Sequence, residues 1–458
     1  MVNFTEHREN GHDGRQNREE MKMADRRKKR KYQSKRGGQL RKRKIGQWIL
    51  LILMALALVL LMICIYIFWR EGTRNKPEEV PEQAVEQEEQ ILELNGEKEI
   101  TYMAGSVYQE QGTSQKDAVI SGEPDLEKAG TYTIEYTWND QTVSRTVHVV
   151  DDGQMIMTLQ GSEDTFVKQN QPYVESGCWA LDQTSGNLTG QVETSGEVDT
   201  SVPGEYEVIY SVQNAEGIQC SRKRTVHVLD EASFRKNTTG IPVLMYHYVY
   251  TEDDKPDELN TNYLLNTKLE EQLKYLKEEN YYFPSYQELS AYVKGEIDLP
   301  EKSIVLTFDD GQKGFLNYGI PLLEKYKIPA TSFVIASKDW DTKLKDYASE
   351  YVSFQSHSYD MHKGGGTIGH GGIISAMSRE EILQDLKTAQ NILSHTEAFA
   401  YPYGDVTEDA KTAVEEAGIL CAFTTEHGRA ESGGDPAALP RVRVLGDASL
   451  EGFIASVS

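Results

Sequence analysis

Cysteine is scarce in this chain, four in 458 residues, so no disulfide framework can carry the fold. Cys64 and Cys421 sit in apolar runs. Only Cys178 and Cys220 are placed where a disulfide would survive, and whether they pair is left open. Positive charge is just as uneven. Residues 1–70 hold 17 Lys and Arg against 6 acids, a surplus of +11, while the remainder holds 31 against 66, a deficit of −35. Such a split joins a membrane- or nucleic-acid-binding tail to a soluble body.

Charge of either sign is missing from Ile45 to Trp69, which distinguishes the two tails. Twenty-odd apolar residues at ~1.5 Å rise span a hydrocarbon core of roughly 30 Å, and Trp48, Tyr66 and Trp69 lie near the ends as interfacial anchors. The basic run RRKKRKYQSKRGGQLRKRK directly before it predicts a single-pass span in the cell membrane. The N-terminus is then cytoplasmic and everything after Arg70 extracellular, and no nucleic acid is called for. A cleaved signal peptide would have a shorter apolar region and a small-residue cleavage site, whereas ICIYIFWR follows here. Apolar residues are then sparse in NKPEEVPEQAVEQEEQ, which reads as a spacer. The chain therefore divides into a basic tail (1–44), a transmembrane helix (45–69), an acidic linker (70–91), two β modules (92–151 and 155–230) and a C-terminal domain (240–458).

The β modules are read from a repeat. SGEPDLEKAGTYTIEY (121–136) matches SGEVDTSVPGEYEVIY (195–210), and the copies close on RTVHVVD and RTVHVLD. Alternation at Tyr132, Ile134, Tyr136 and at Tyr206, Val208, Tyr210 predicts strands after a glycine turn. Two small β-sandwiches follow, which resemble the immunoglobulin-like modules of bacterial surface proteins and read as stalks, with glycan binding as the alternative. His148 and His227 recur in the repeat without partners nearby and read as structural. From about residue 240 strands and helices alternate. IPVLMYHYV, SIVLTF, ATSFVI and AFA read as strands. TKLEEQLKYLKEE, PLLEKY, SREEILQDLKTAQNIL and TEDAKTAVEEAG read as helices, the first and third with capping boxes at Thr267…Glu270 and Ser378…Glu381. This alternation predicts a parallel sheet or barrel, with reactive groups gathered at the C-terminal ends of its strands.

LTFDDGQKG then becomes informative. Adjacent strand residues face opposite ways, so Asp309 and Asp310 cannot both enter one core, and burying either unpaired costs several kcal/mol. Where the strand stops at Gly311, both acids can turn into one cleft. VSFQSHSYDMH brings His357 and His362 to a second strand end, and AFAYPYGD forms a third. One carboxylate with two imidazoles suits a hydrolytic divalent ion, leaving the other carboxylate to take a proton from the attacking water.

TFDDG, the His-Ser…His element and YPYG resemble the polysaccharide deacetylase family (carbohydrate esterase family 4), over about 241–458. The resemblance implies a distorted (β/α) barrel and metal-dependent removal of N-acetyl groups from N-acetylglucosamine polymers, peptidoglycan or poly-N-acetylglucosamine. Carried over by motif, Asp310, His357 and His362 are the metal ligands, Asp309 the general base, and Tyr403 the donor of a backbone N–H to the oxyanion. The ion is expected to be Zn²⁺, with Co²⁺ or Ni²⁺ as alternatives. Three departures stand out. The histidines are five apart rather than the usual four, with His370 in GGGTIGHGG as a fallback ligand. Ala400 stands where the family has an arginine, so Arg441 of LPRVRV is expected to tether the base. No histidine follows in VLGDASLEGFIASVS, so the general acid is expected to be His247 of MYHYV, ahead of His427. Two other readings stay open: an O-acetyl polysaccharide esterase, and a wall-binding protein whose deacetylase domain has lost its chemistry.

Overall fold

The structure, a computed structural model, describes residues 59, 61–64, 66 and 91–458. The basic tail, all but six positions of the transmembrane span and all of the linker except Ile91 lie outside the described residues. No helix among the described residues is long and apolar enough to cross a membrane.

Module 1 contains β1 (Glu99–Met103), β2 (Val119–Ser121), β3 (Gly130–Trp138) and β4 (Gln141–Val150). Module 2 contains β5 (Met155–Leu159), β6 (Asp164–Lys168), β7 (Cys178–Asp182), β8 (Gly186–Asn187), β9 (Glu193–Ser195), β10 (Gly204–Gln213) and β11 (Ile218–Leu229). The expectation of two separate sandwiches needs correction. β1 pairs with β4 on one side and with the start of β11 on the other, so one eight-stranded sheet runs through both modules. Module 2 adds a second sheet from β5, β7 and β8. Module 1 has a single bridge, Leu94 to Thr113, in the corresponding place. The repeat is otherwise faithful. Arg145 donates to the Tyr136 hydroxyl, which donates to Glu110, and Arg224, Tyr210 and Glu175 form the same chain, each running from a buried guanidinium to an exposed carboxylate. Cys178 and Cys220 are free thiols within the core of module 2. His227 bonds to Asp164 and His148 to Thr131, in keeping with structural roles.

The C-terminal domain is a closed barrel of seven parallel strands: β12 (Val243–Tyr246), β15 (Val305–Phe308), β16 (Ala330–Val334), β17 (Val352–Ser356), β18 (Ala398–Ala400), β19 (Cys421–His427) and β20 (Leu439–Arg443). A two-stranded ribbon, β13 (Tyr248–Tyr250) with β14 (Tyr263–Leu265), lies off it. The predicted strand IPVLMYHYV is thus two strands in two sheets, broken at His247. β12 and β15 to β18 are buried at every position, as expected of strands covered on both faces.

Around the barrel run α1 (Asn266–Glu278), α2 (Tyr286–Val293), α3 (Ile320–Tyr326), α4 (Trp340–Asp346), α5 (Arg379–Leu393), α6 (Glu408–Glu416) and α7 (Leu450–Val457). Leu269, Leu273 and Leu276 of α1 enter the core, as their spacing predicts. The Thr267 capping box does not form, because β14 runs straight into α1 and puts the helix start at Asn266 with Leu265 as cap. The Ser378…Glu381 box does form on α5.

Candidate active site

The site is built from the C-terminal ends of neighbouring strands, three of which are followed by a left-handed non-glycine residue. Asp310 follows β15 with φ 74°, Ser358 follows β17 with φ 91°, and Tyr403 follows β18 with φ 64°. A left-handed non-glycine residue costs on the order of 1–3 kcal/mol and persists only where its surroundings impose it. Gly311 completes the first turn at φ 59°, and a Cβ there would lie 2.6 Å from the Trp340 ring. The chain therefore turns away from β15 within one residue and leaves both carboxylates at the mouth.

Asp310, His357 and His362 come together, with one potential ligand atom from each within 4.8 Å of the others. Oδ1 of Asp310 lies 3.5 Å from His357 Nε2 and 3.2 Å from His362 Nε2. His357 Nδ1–H donates to the Ala400 carbonyl oxygen at 2.7 Å, which fixes the ring so that Nε2 faces the carboxylate. Two imidazoles and one carboxylate oxygen on one small volume fit a divalent ion of the Zn²⁺, Co²⁺ or Ni²⁺ type. Burial works to raise the Asp310 carboxyl, but the hydrogen-bonded His357 and His362 hold it well below the usual range. Burial works to lower His357, and Asp310 raises it above the ordinary imidazole value. Exposed His370 lies outside the cluster, 3.7 Å from Asp405 through its Nδ1, so the fallback ligand is not needed.

Asp309 turns the other way, into a bidentate pair with Arg441. Nη1 donates to Oδ1 at 2.8 Å and Nη2 to Oδ2 at 2.7 Å. Arg441 is itself fully buried and donates Nε–H to the Thr424 carbonyl and Nη1–H to Thr307. Burial alone would raise the Asp309 carboxyl, but the guanidinium outweighs it and keeps the group below its ordinary value. The arginine thus reaches Asp309 from β20 although Ala400 occupies the expected position. His247 lies at the break between β12 and β13, where burial lowers its pKa against the pull of Asp309 and Asp310. Burial thus favours the neutral imidazole, whereas the expected acid role requires a proton. The Tyr403 ring stacks on His362 at 5.1 Å. Tyr401 and Trp340 are buried packing residues, and His427 is exposed at the end of β19.

Two supporting groups escaped the sequence reading. Asp405, directly after YPYG, accepts the backbone N–H groups of His370 and Gly372 at 2.7 Å each and ties the glycine-rich segment to the Tyr403 turn. Tyr248, next to His247, donates its hydroxyl to Asp310 Oδ2 at 3.0 Å. Adjacency to a recognised motif was the available signal in both cases.

Residues 296–422 match the polysaccharide deacetylase family, a segment that contains both aspartates, both histidines and Tyr403 but neither His247 nor Arg441. Residues 157–228, within module 2, match the Ig-like domain of bacterial surface proteins. Over 208 residues the chain is 26% identical to the poly-beta-1,6-N-acetyl-D-glucosamine N-deacetylase of Staphylococcus aureus strain MRSA252, covering 42% of this chain and 71% of that protein. The corresponding Staphylococcus epidermidis protein is 26% identical over 231 residues, covering 45% of this chain and 79% of that protein. Among solved structures, the Streptococcus pyogenes deacetylase PplD in complex with acetate shares 26% identity at a TM-score of 0.42, over 48% of this chain and 100% of that one. The C-terminal region is a polysaccharide deacetylase-family enzyme domain with a candidate Asp-His-His metal site.

Proposed function

We propose that the protein hydrolyses the N-acetyl groups of an N-acetylglucosamine polymer, with poly-β-1,6-N-acetylglucosamine as the first candidate and peptidoglycan as the second. The observation that carries this reading is the pairing of two neighbouring carboxylates with different partners. Asp310 faces His357 and His362, while Asp309 is held by Arg441. The relatives named above supply the polymer. When bound, a divalent ion on Asp310, His357 and His362 supplies Lewis-acid polarisation of the acetamide carbonyl and lowers the pKa of a water.

The chain's own groups carry the rest. Asp309 stays ionised beside Arg441 and accepts a proton from the attacking water. The backbone N–H of Tyr403 donates to the developing oxyanion, a contact worth about 3–4 kcal/mol in related chemistry. The proton that Asp309 accepts from the water is passed on through His247 to the departing glucosamine nitrogen, which leaves both groups as they began. Water is consumed, and acetate and a free amine result. The uncharged run 45–69 and its basic flank support a membrane anchor with the catalytic domain outside the cell.

Acetate release by the full chain from poly-β-1,6-N-acetylglucosamine, peptidoglycan and acetylated xylan tests the reading. Release from an N-acetylglucosamine polymer, abolished by a chelator and by Asp309→Asn, supports it. Release from xylan alone would transfer the assignment to O-acetyl esters. Wall binding without release from any polymer would favour the non-catalytic reading.

A further inference from the structure

Asp310 presents its two oxygens to different partners. Oδ1 faces both imidazoles, at 3.5 and 3.2 Å, and Oδ2 accepts the Tyr248 hydroxyl at 3.0 Å. A carboxylate free to swing can offer either oxygen to an ion, or both at once. A phenol on one of them removes that choice.

The phenol is anchored well enough to do this. Tyr248 opens β13, which pairs with β14 so that Tyr248 lies opposite Tyr263, with their ring centroids 4.6 Å apart. β14 passes without a loop into α1, whose Leu269, Leu273 and Leu276 are fully buried. From β20, the barrel neighbour of β12, Arg443 donates to Asn262 directly before β14. The ribbon therefore moves with the core of the barrel, and the hydroxyl arrives from a fixed direction.

We propose that Tyr248 is a positioning residue of the metal centre: it holds Oδ2 of Asp310 so that Oδ1 alone is offered to the ion. Coordination positions that a chelating carboxylate would occupy then stay available to water and substrate. This inference rests on the proposed metal centre, and it gives a function to a residue outside the motifs that mark the site. Partners of metal ligands commonly change affinity by about 10- to 100-fold when removed.

Titration of the metal-free full chain with Zn²⁺ against a competing chelator, and with Co²⁺ followed by its visible absorption, tests it. Tyr248→Phe keeps the ring against Tyr263 and deletes only the hydroxyl. It is expected to weaken Zn²⁺ binding by about tenfold or more and to lower the Co²⁺ band intensity as Oδ2 joins the coordination sphere. Tyr248→Leu, which also removes the ring, is expected to bind no more tightly than Tyr248→Phe. A Zn²⁺ affinity within about twofold of wild type, well short of the range for lost ligand partners, with an unaltered Co²⁺ spectrum, overturns the inference alone. Failure of the wild-type chain to bind either ion overturns the metal centre and this inference together.

Discussion

The two ends of the barrel are built from the same seven strands and carry opposite chemistry. At the C-terminal end, strand ends turn under strain and deliver Asp309, Asp310, His357 and Tyr403 to one mouth. At the N-terminal end, module 2 fits against the rim. The Ser162 N–H donates to the Phe283 carbonyl, Thr158 to the Ser349 carbonyl, Arg222 pairs with Glu350 at 2.6 Å, and Ser176 bonds to Ser285 at 2.8 Å. A cavity of about 80 Å³ remains there, lined mainly by Trp179, Leu344, Leu393 and neighbouring apolar groups. It is a packing gap between the two domains, remote from the carboxylates. One end is thus organised for reactivity and the other for cohesion, and left-handed non-glycine residues occur at both, Asp310, Ser358 and Tyr403 at the first and Asn280, Lys327 and Ser394 at the second. Module 1 makes no comparable contribution to the barrel rim among these contacts.

If that division holds, damage at the two ends should separate activity from stability. The largest effect is expected from Asp310→Ala or His357→Ala. Loss of a ligand should reduce acetate release by more than about 100-fold, beyond the range for lost ligand partners, with metal content falling in parallel. Activity retained without bound metal would break the comparison at its functional end. Arg441→Met should affect both properties. It leaves Asp309 buried and unpaired, at a cost of about 3–5 kcal/mol measured by denaturant unfolding. Without the guanidinium, burial of the Asp309 carboxyl is opposed only by the weaker pull of His357 and His247, and the group rises. The base must be ionised, so the acid limb of the pH–rate profile should move up by at least about one pH unit.

The sign for stability follows the same group. Because Arg441 holds Asp309 below its unfolded value of about 3.9, the pair contributes stability above about pH 4. That contribution is lost as pH falls through the folded value, a decline that Arg441→Met should lack. A smaller effect is expected from Trp179→Ala at the opposite rim. It should cost about 1–3 kcal/mol while kcat/KM of the folded enzyme stays near wild type. A large fall in kcat/KM would show that the two ends are coupled. His370→Ala should do least, since the side chain is 70% exposed and outside the ligand cluster. Its metal affinity, read by chelator competition, is expected within about twofold of wild type, because the variant removes neither a ligand nor a ligand's partner.

Much of the site was legible before the fold was known, for a physical reason. Charged groups are too costly to bury without purpose, so TFDDG at the end of an apolar run and paired histidines at another strand end announce a cluster. Arg441 could be anticipated because a buried carboxylate needs a cation and the usual position held alanine. The downward push on the His247 pKa was not legible, since it comes from the burial of a strand break. Nor was Tyr248, whose role arises from a ribbon pairing between residues 15 apart in the chain.

Local pattern alone determined the alternation of strands and helices in the catalytic domain, the repeat in the β modules and the gathering of two carboxylates and two imidazoles at strand ends. These depend on periodicity, turn chemistry and the cost of burying charge, all of which act over a few residues. The resemblance to the family chose Asp310 over Asp309 as the ligand, and the helices Tyr286–Val293, Trp340–Asp346 and Leu450–Val457 went unread. Tertiary structure alone decided that the two modules share a sheet, that module 2 closes one end of the barrel, that IPVLMYHYV breaks at His247, and which oxygen of Asp310 faces the imidazoles. Those outcomes depend on which distant segments meet, and backbone pairing carries little side-chain signature by which a sequence could declare its partner.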